Sequence, residues 1–381
     1  MPESVLFDSK ELLPAGWRHF AEQGPVRAFN PSLLRDGDEW IFAYRVVGPD
    51  LLRRIALCRL DRNFQIIAGS QVAFSPSVQF ASGRHYAEPG QTWFADPRLY
   101  RLSGRLFVYW NSGWHDPCNY QFIQEIDPRD FRPIGLAREL NLVGPRQKLE
   151  KNWTLLGEGG ANQVLSERMP GDMGGAPMPR LPAVAGGTGV PPVGLSVHSR
   201  PDLRRSDGPF YAIYSITPHR VLQFSLVGEG AIDFTAAEST DWNNDLYSGV
   251  YGSLRGGAVP QSVDGRYWSF CHSVHNSSTG YRYVPAAYCF SASYPFAPTD
   301  APTRPLALEN PFGARRVYEK LNPAVGEVIY PCGAAYDQGR WIISYGINDE
   351  HCAIALLTPA DVMASLTAID ADGPDARSGP A

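Results

Sequence analysis

The chain has 381 residues, 19% of them charged, and a formal net charge of -5, with none of the lysine- or arginine-rich runs that make a nucleic-acid surface. Its six scattered cysteines form no CxxC pair, which argues against a disulfide framework or a zinc ribbon and for a reducing compartment. Aromatic residues reach 12% beside 37 Gly and 33 Pro, a mixture that suits twisted strands broken by many turns and surfaces that stack on sugars.

The amino terminus, MPESVLFDSKELL, has acidic residues where a secretory signal needs a basic start, and no stretch of about 18 apolar residues follows. A cytoplasmic protein with neither membrane nor nucleic-acid partners is expected, its oligomeric state left open. Along the chain one phrase recurs, a glycine turn followed by an aromatic strand ending in a polar residue: DGDEWIFAYR from Asp36, SGRLFVYWNS from Ser103, DGPFYAIYSI from Asp207, DGRYWSFCHS from Asp264 and QGRWIISYGIND from Gln338. Trp40, Phe42 and Tyr44 alternate onto one face, as do Trp341, Ile343 and Tyr345, so the phrase reads as strand. Each copy has an apolar strand on either side, which makes an antiparallel meander.

Five such copies predict an all-β chain, a five-bladed β-propeller forming one domain over residues 1–367, with a β-sandwich as the alternative. The Gly/Pro-rich stretch 157–205 is too poor in large apolar residues for a core and reads as a disordered insertion in the third blade; 368–381 reads as a disordered tail.

In a radial arrangement the first strands converge, so their leading residues meet although far apart in sequence. Those leaders are Asn30, Asp96 with Arg98, Lys151 with Asn152, Arg255 with Gly256 and Gly257, and Cys332 with Gly333. The second strands are expected to end beside them in Arg45, Asn111, His219 with Arg220, His272, and Asn348 with Asp349. Polar groups repeated at equivalent ends of apolar strands point to one shared site. His272 and His275 fall on opposite strand faces with no third ligand, so no metal is expected, and no phosphate-cradling, dinucleotide or nucleophile-elbow motif occurs.

With these pieces, NPSLL and AYR45, ADPRL around Asp96, EKNW around Lys151, the pair His219 and Arg220, RGGAVP, and YPCGAAYDQGRWIISYGIND, the chain resembles glycoside hydrolase family 130, the β-mannoside phosphorylases and related hydrolases, from about Asn30 to Thr358. The resemblance implies a five-bladed propeller that cleaves a β-linked glycoside, a β-mannoside by preference, with inversion and with Asp96 as general acid. The glycoside contacts expected from the converging strand ends are Asn30, Arg45, Arg98, Asn111, Asn152, Arg255, His272 and Asp349. No cofactor is implied; inorganic phosphate is the expected co-substrate of a phosphorylase, held by Arg45, Lys151, His219 and Arg220. Delivering the proton calls for a carboxyl lifted toward working pH, which burial must achieve against Arg98.

The chain departs from the family's phosphorylases in NSGWHDPCNY, which lacks their arginine, and in Ala95, where an acidic residue is usual. Hydrolysis instead of phosphorolysis needs a second carboxylate roughly 6.5–9.5 Å from the acid, for which Asp349, Glu327 and Glu88 are the candidates. A glycosyl-transferring enzyme of polysaccharide assembly and a non-catalytic saccharide-binding propeller are the competing readings.

Overall fold

The computed structural model describes residues 3–81, 94–112, 119–144, 151–157, 209–277 and 280–369. The chain is all-β, as expected. After β1 (Glu3–Leu6), the first group is the meander β2 (Arg27–Asp36), β3 (Glu39–Val47), β4 (Arg53–Leu60) and β5 (Val72–Ala73). The second is β6 (Ala95–Leu102), β7 (Arg105–Asn111), β8 (Gln121–Ile126) and β9 (Pro133–Leu142). The third is β10 (Thr154–Leu155), β11 (Phe210–Ser215), β12 (His219–Phe224) and β13 (Ile232–Thr240).

In the fourth group β14 (Ser253–Arg255) and β15 (Gln261–Val263) both pair with β16 (Arg266–Ser277), followed by β17 (Gly280–Ser291) and β18 (Pro298–Pro302). The fifth is β19 (Val325–Asp337), β20 (Arg340–Ile347) and β21 (His351–Leu357), and β1 adds its outer strand, Glu3 opposite Leu356. A short strand, β22 (Leu366–Ala368), pairs with β18 and so ends on the first residue of the expected tail. The stretch 158–208, most of the expected insertion, and 370–381 lie outside the described residues.

In the first, second, fourth and fifth groups the recurring phrase is a β-hairpin; in the third its glycine turn lies outside the described residues. Ser103 with Gly104, Asp264 with Gly265 and Gln338 with Gly339 all have positive φ, the conformation that two-residue hairpin turns require and that glycine adopts at least cost. Alternation then sorts each strand between two neighbours. Trp40, Phe42 and Tyr44 pack with Ala335, Ile342 and Ile354 of the fifth group, whereas Ile41 and Ala43 pack with Leu99, Val108 and Trp110 of the second. Similar clusters lie between the second and third groups (Tyr109, Trp153, Leu222), the third and fourth (Ile213, Val221, Tyr288) and the fourth and fifth (Phe270, Trp341, Tyr345). Burial on both faces is why these strands read as near-continuous apolar runs.

Contacts between leading strands also pass from group to group and return to the start. Leu99 N–H donates to Ser32 Oγ at 3.0 Å, and Arg98 Nη1 to the Trp153 carbonyl at 2.5 Å. A side chain at Gly256 would collide with the Asn152 carbonyl, and one at Gly257 would lie 2.7 Å from that of Pro331. Ser344 Oγ closes the circuit by donating to the Pro31 carbonyl at 2.6 Å.

Candidate active site

Three leading residues sit in the left-handed backbone region: Asn30 and Asp96 at φ 52° and Asn152 at φ 70°. At Asn30 and Asp96 the ladder slips, between Phe29 and Ser32 and between Ala95 and Arg98, so one extra residue bulges from the strand and its side chain is re-aimed. Left-handed backbone costs a residue with a Cβ about 1–2 kcal/mol. Its recurrence at equivalent polar positions is strain kept for a site.

These bulges open into a cavity of about 570 Å³, within the usual range of about 300–1,000 Å³ for small-molecule sites. Asn30, Arg45, Asp96, Asn111, Lys151, Asn152, Arg255, His272 and Asp349 all line it, bringing together residues from all five groups. Asp96 is tied at both oxygens. Its Oδ1 accepts from Asn30 Nδ2 at 2.8 Å and faces Arg45 Nη1 at 3.6 Å, while Oδ2 accepts from Asn111 Nδ2 at 3.4 Å.

Burial alone would raise the Asp96 carboxyl, but Arg45, Lys151, the Asn30 hydrogen bond and Arg98 outweigh it and hold it below the usual carboxylate range. This corrects the expectation that burial would lift it. Asp349 behaves oppositely: burial raises its carboxyl, the Asp96 charge adds to that, and Arg45, Arg316 and Lys151 offset it only in part. His272 is pushed down to about 3 by burial and then by Lys151, Arg255 and Arg98, so it enters any reaction neutral. Its ring stands edge-on to Tyr330, 4.6 Å between centroids.

Three expected site residues lie elsewhere. Arg98 is 1% exposed and sits behind the wall, its Nη2 donating to Tyr330 Oη at 3.1 Å, and Tyr330 Oη in turn donates to Asn152 Oδ1 at 2.8 Å. Arg98 therefore ties β6 to Trp153, just ahead of β10, and to β19, and does not line the cavity. His219 and Arg220 begin β12 and do not end β11, because the hairpin turns earlier than the repeat suggested. Alternation then buries His219 against Tyr288 and Phe290, where burial pushes it down to about 4, and leaves Arg220 exposed. Of the candidate second carboxylates, Asp349 lines the cavity. Glu327 lines a separate pocket of about 320 Å³ and pairs with Arg282 at 2.7 Å; Glu88 lies outside the described residues.

Sequence reasoning missed Arg53, the aromatic wall of Tyr281, Tyr283 and Tyr330, and the segment Leu321–Pro323, all of which line the cavity. The period-2 tyrosines of GYRYVP were a usable signal for a sugar-stacking face. Arg53 had none, since only the β4 register carries it round to Arg45. Arg53 is pushed down to about 10 by burial and then by the Arg45 and Arg27 charges. Among the described residues, no cluster of three or more His, Cys, Asp or Glu could hold a metal.

No protein-family model matches the sequence, and no curated protein matches it. Among solved structures the chain is similar to a β-1,2-mannobiose phosphorylase from Listeria innocua in complex with β-1,2-mannobiose, with 12% identity, TM-score 0.55, and 95% of this chain and 99% of that one covered. It is also similar to a glycosyl hydrolase from Bacteroides ovatus (12% identity, TM-score 0.53, 90% and 87% covered). A third is a structure from the GH130 family of mannoside phosphorylases, which contains hydrolases that target β-1,2-mannosidic linkages in Candida mannan (15% identity, TM-score 0.50, 90% and 86% covered). The fold is shared with glycoside hydrolase family 130. At 12–15% identity the likeness is divergent and rests on the path of the strands, not on the wording of the sequence.

Proposed function

We propose that the chain is a five-bladed β-propeller enzyme that cleaves a β-linked glycoside, a β-mannoside by preference, by inverting phosphorolysis. The observation that supports phosphate as attacking group is the charge of the cavity. Arg45, Arg53, Lys151 and Arg255 line it against two carboxylates, Asp96 and Asp349. Guanidinium forks and a lysine ammonium suit a phosphate dianion. This cradle replaces the expected one, with Arg53 and Arg255 in place of His219 and Arg220.

Tyr281 and Tyr283 offer ring faces for the sugar, and Asn30, Asn111 and Asn152 offer amides for its hydroxyls. Asp96 is assigned as the acid that delivers the proton to the leaving oxygen, through a substrate hydroxyl. The glycosidic C1–O bond breaks as a phosphate oxygen bonds C1 from the opposite face, so a β-glycoside yields an α-sugar 1-phosphate. A cytoplasmic setting belongs to the same reading, because the five described cysteines are all free.

The test is incubation with a panel of β-mannosides, with and without inorganic phosphate. Phosphate-dependent appearance of an α-sugar 1-phosphate supports the reading. Release of the free sugar without phosphate would make the enzyme a hydrolase, and binding without turnover across the panel would make it a saccharide-binding protein.

A further inference from the structure

The cavity holds two carboxyls, and their surroundings differ in kind. Asp96 faces two amide donors and one guanidinium, so an ionised acceptor satisfies every neighbour that points at it. Among the described residues the Asp349 carboxyl makes no hydrogen bond and no ion pair within 4.0 Å, and it opens onto the cavity. Its placement is nevertheless fixed. Asn348 and Asp349 form a turn with φ 58° and 57°, and the residues on either side are fastened. Asn348 Nδ2 donates to the Gly313 and Arg315 carbonyls at 2.9 and 3.1 Å, and Glu350 accepts from the Val317 and Tyr318 amides at 2.9 and 3.1 Å. A strained, doubly anchored turn thus presents a carboxyl to which no described residue donates.

The charged groups that face Asp349 come from several elements: Arg45 on β3, Lys151 ahead of β10, Arg316 from the 303–324 connection and Asp96 on β6. Arg27 on β2 and Arg53 on β4 also feel its charge. Tyr283 on β17 and Cys332 on β19 face it too, both neutral because burial pushes them up. Arg45 and Lys151 act on both carboxyls, and it is the Asp96 oxygen that Arg45 approaches.

We propose that Asp96 and Asp349 form a pair around Arg45 that shares one proton, with Asp349 the carboxyl that stores it and Asp96 the anion until a glycoside bridges them. The inference rests on the function proposed above and supplies what it lacks, the source of the proton that Asp96 delivers. One sugar hydroxyl between the two carboxyls passes the Asp349 proton to Asp96, and Asp96 protonates the leaving oxygen through a second substrate hydroxyl as C1–O breaks. Hydrogen phosphate loses its own proton on forming the ester, and that proton restores Asp349, so the cycle closes without another reactant. The directions of the two shifts agree with this assignment.

The experiment is a carboxyl ¹³C NMR titration of the full chain labelled at aspartate, as wild type, Asp349→Asn and Asp96→Asn, with circular dichroism to confirm folding. One signal should titrate above the ordinary aspartate range, vanish in Asp349→Asn, persist in Asp96→Asn, and shift to lower pH there because the neighbouring anion is gone. If that signal vanishes in Asp96→Asn instead, or if its midpoint is the same with and without Asp96, the pairing is overturned. Because no substrate is used, the titration stands apart from the turnover test: mannosides can fail while the pair is found, and the reverse.

Discussion

Arg45 and Asp96 come from neighbouring groups and meet at the cavity with Nη1 3.6 Å from Oδ1, both side chains 13% exposed. The guanidinium also lies 4.9 Å over the Phe29 ring. One cation therefore holds the carboxylate and is held against the same wall, which ties the ionisation of Asp96 to the shape of the site.

Removing that carboxylate while keeping its hydrogen-bonding shape separates binding from chemistry. Asp96→Asn is expected to lower kcat by about 10²–10⁴-fold, the range for a lost general acid. The glycoside Kd, measured by calorimetry, should change little, since Asn30 and Asn111 remain.

The cation cradle gives a contrast within one residue type. Arg53→Met and Arg255→Met should each raise the KM for phosphate by roughly 10-fold, the effect of one charge-assisted hydrogen bond. Arg220→Met should leave it unchanged, because Arg220 is exposed and outside the cavity. Steady-state kinetics with phosphate varied decides between this cradle and the one expected from the sequence.

Glu350 is buried, and its carboxylate accepts the amides of Val317 and Tyr318. Glu350→Ala leaves both donors without a partner at about 1–3 kcal/mol each. Urea denaturation should show that loss. Hydrogen exchange should speed up in 313–318, and the glycoside KM should rise, because Leu321–Pro323 of the same connection line the cavity.

The two carboxyls act on stability with opposite signs. Asp96 is held below its ordinary value, so its contribution is present above that value and is lost as pH falls through the folded one. Asp349 is held above its ordinary value, so the fold binds more protons there and is weakened as pH rises from the ordinary value toward the folded one. Asp349→Asn should therefore melt higher than wild type above that window, by on the order of 2 °C for each kcal/mol relieved, and lose this advantage below it. Melting curves across pH check the sign.

Strand content and hairpins were legible because they are local. Trp40, Phe42 and Tyr44 alternate in the sequence as they do in space, and Asp264 with Gly265 is a turn by its own chemistry. Much of the site was legible for the same reason, since Asn30, Asp96 and Asn152 occupy one position of a repeat. His219 was misplaced because the repeat length is not constant: the third hairpin turns a few residues early, and on a strand a shift changes the face.

By itself the sequence determined which residues are strands, where they turn, and which polar groups lead them, since each follows from neighbours along the chain. Only the tertiary structure decided which of these meet: that Arg53 joins Arg45, that Arg98 retires behind Tyr330, and that Asp96 and Asp349 share one cavity with unequal donors. Ionisation depends on desolvation and on charges brought close from distant parts of the chain. That is why the Asp96 carboxyl could be named from sequence while its depressed ionisation could not.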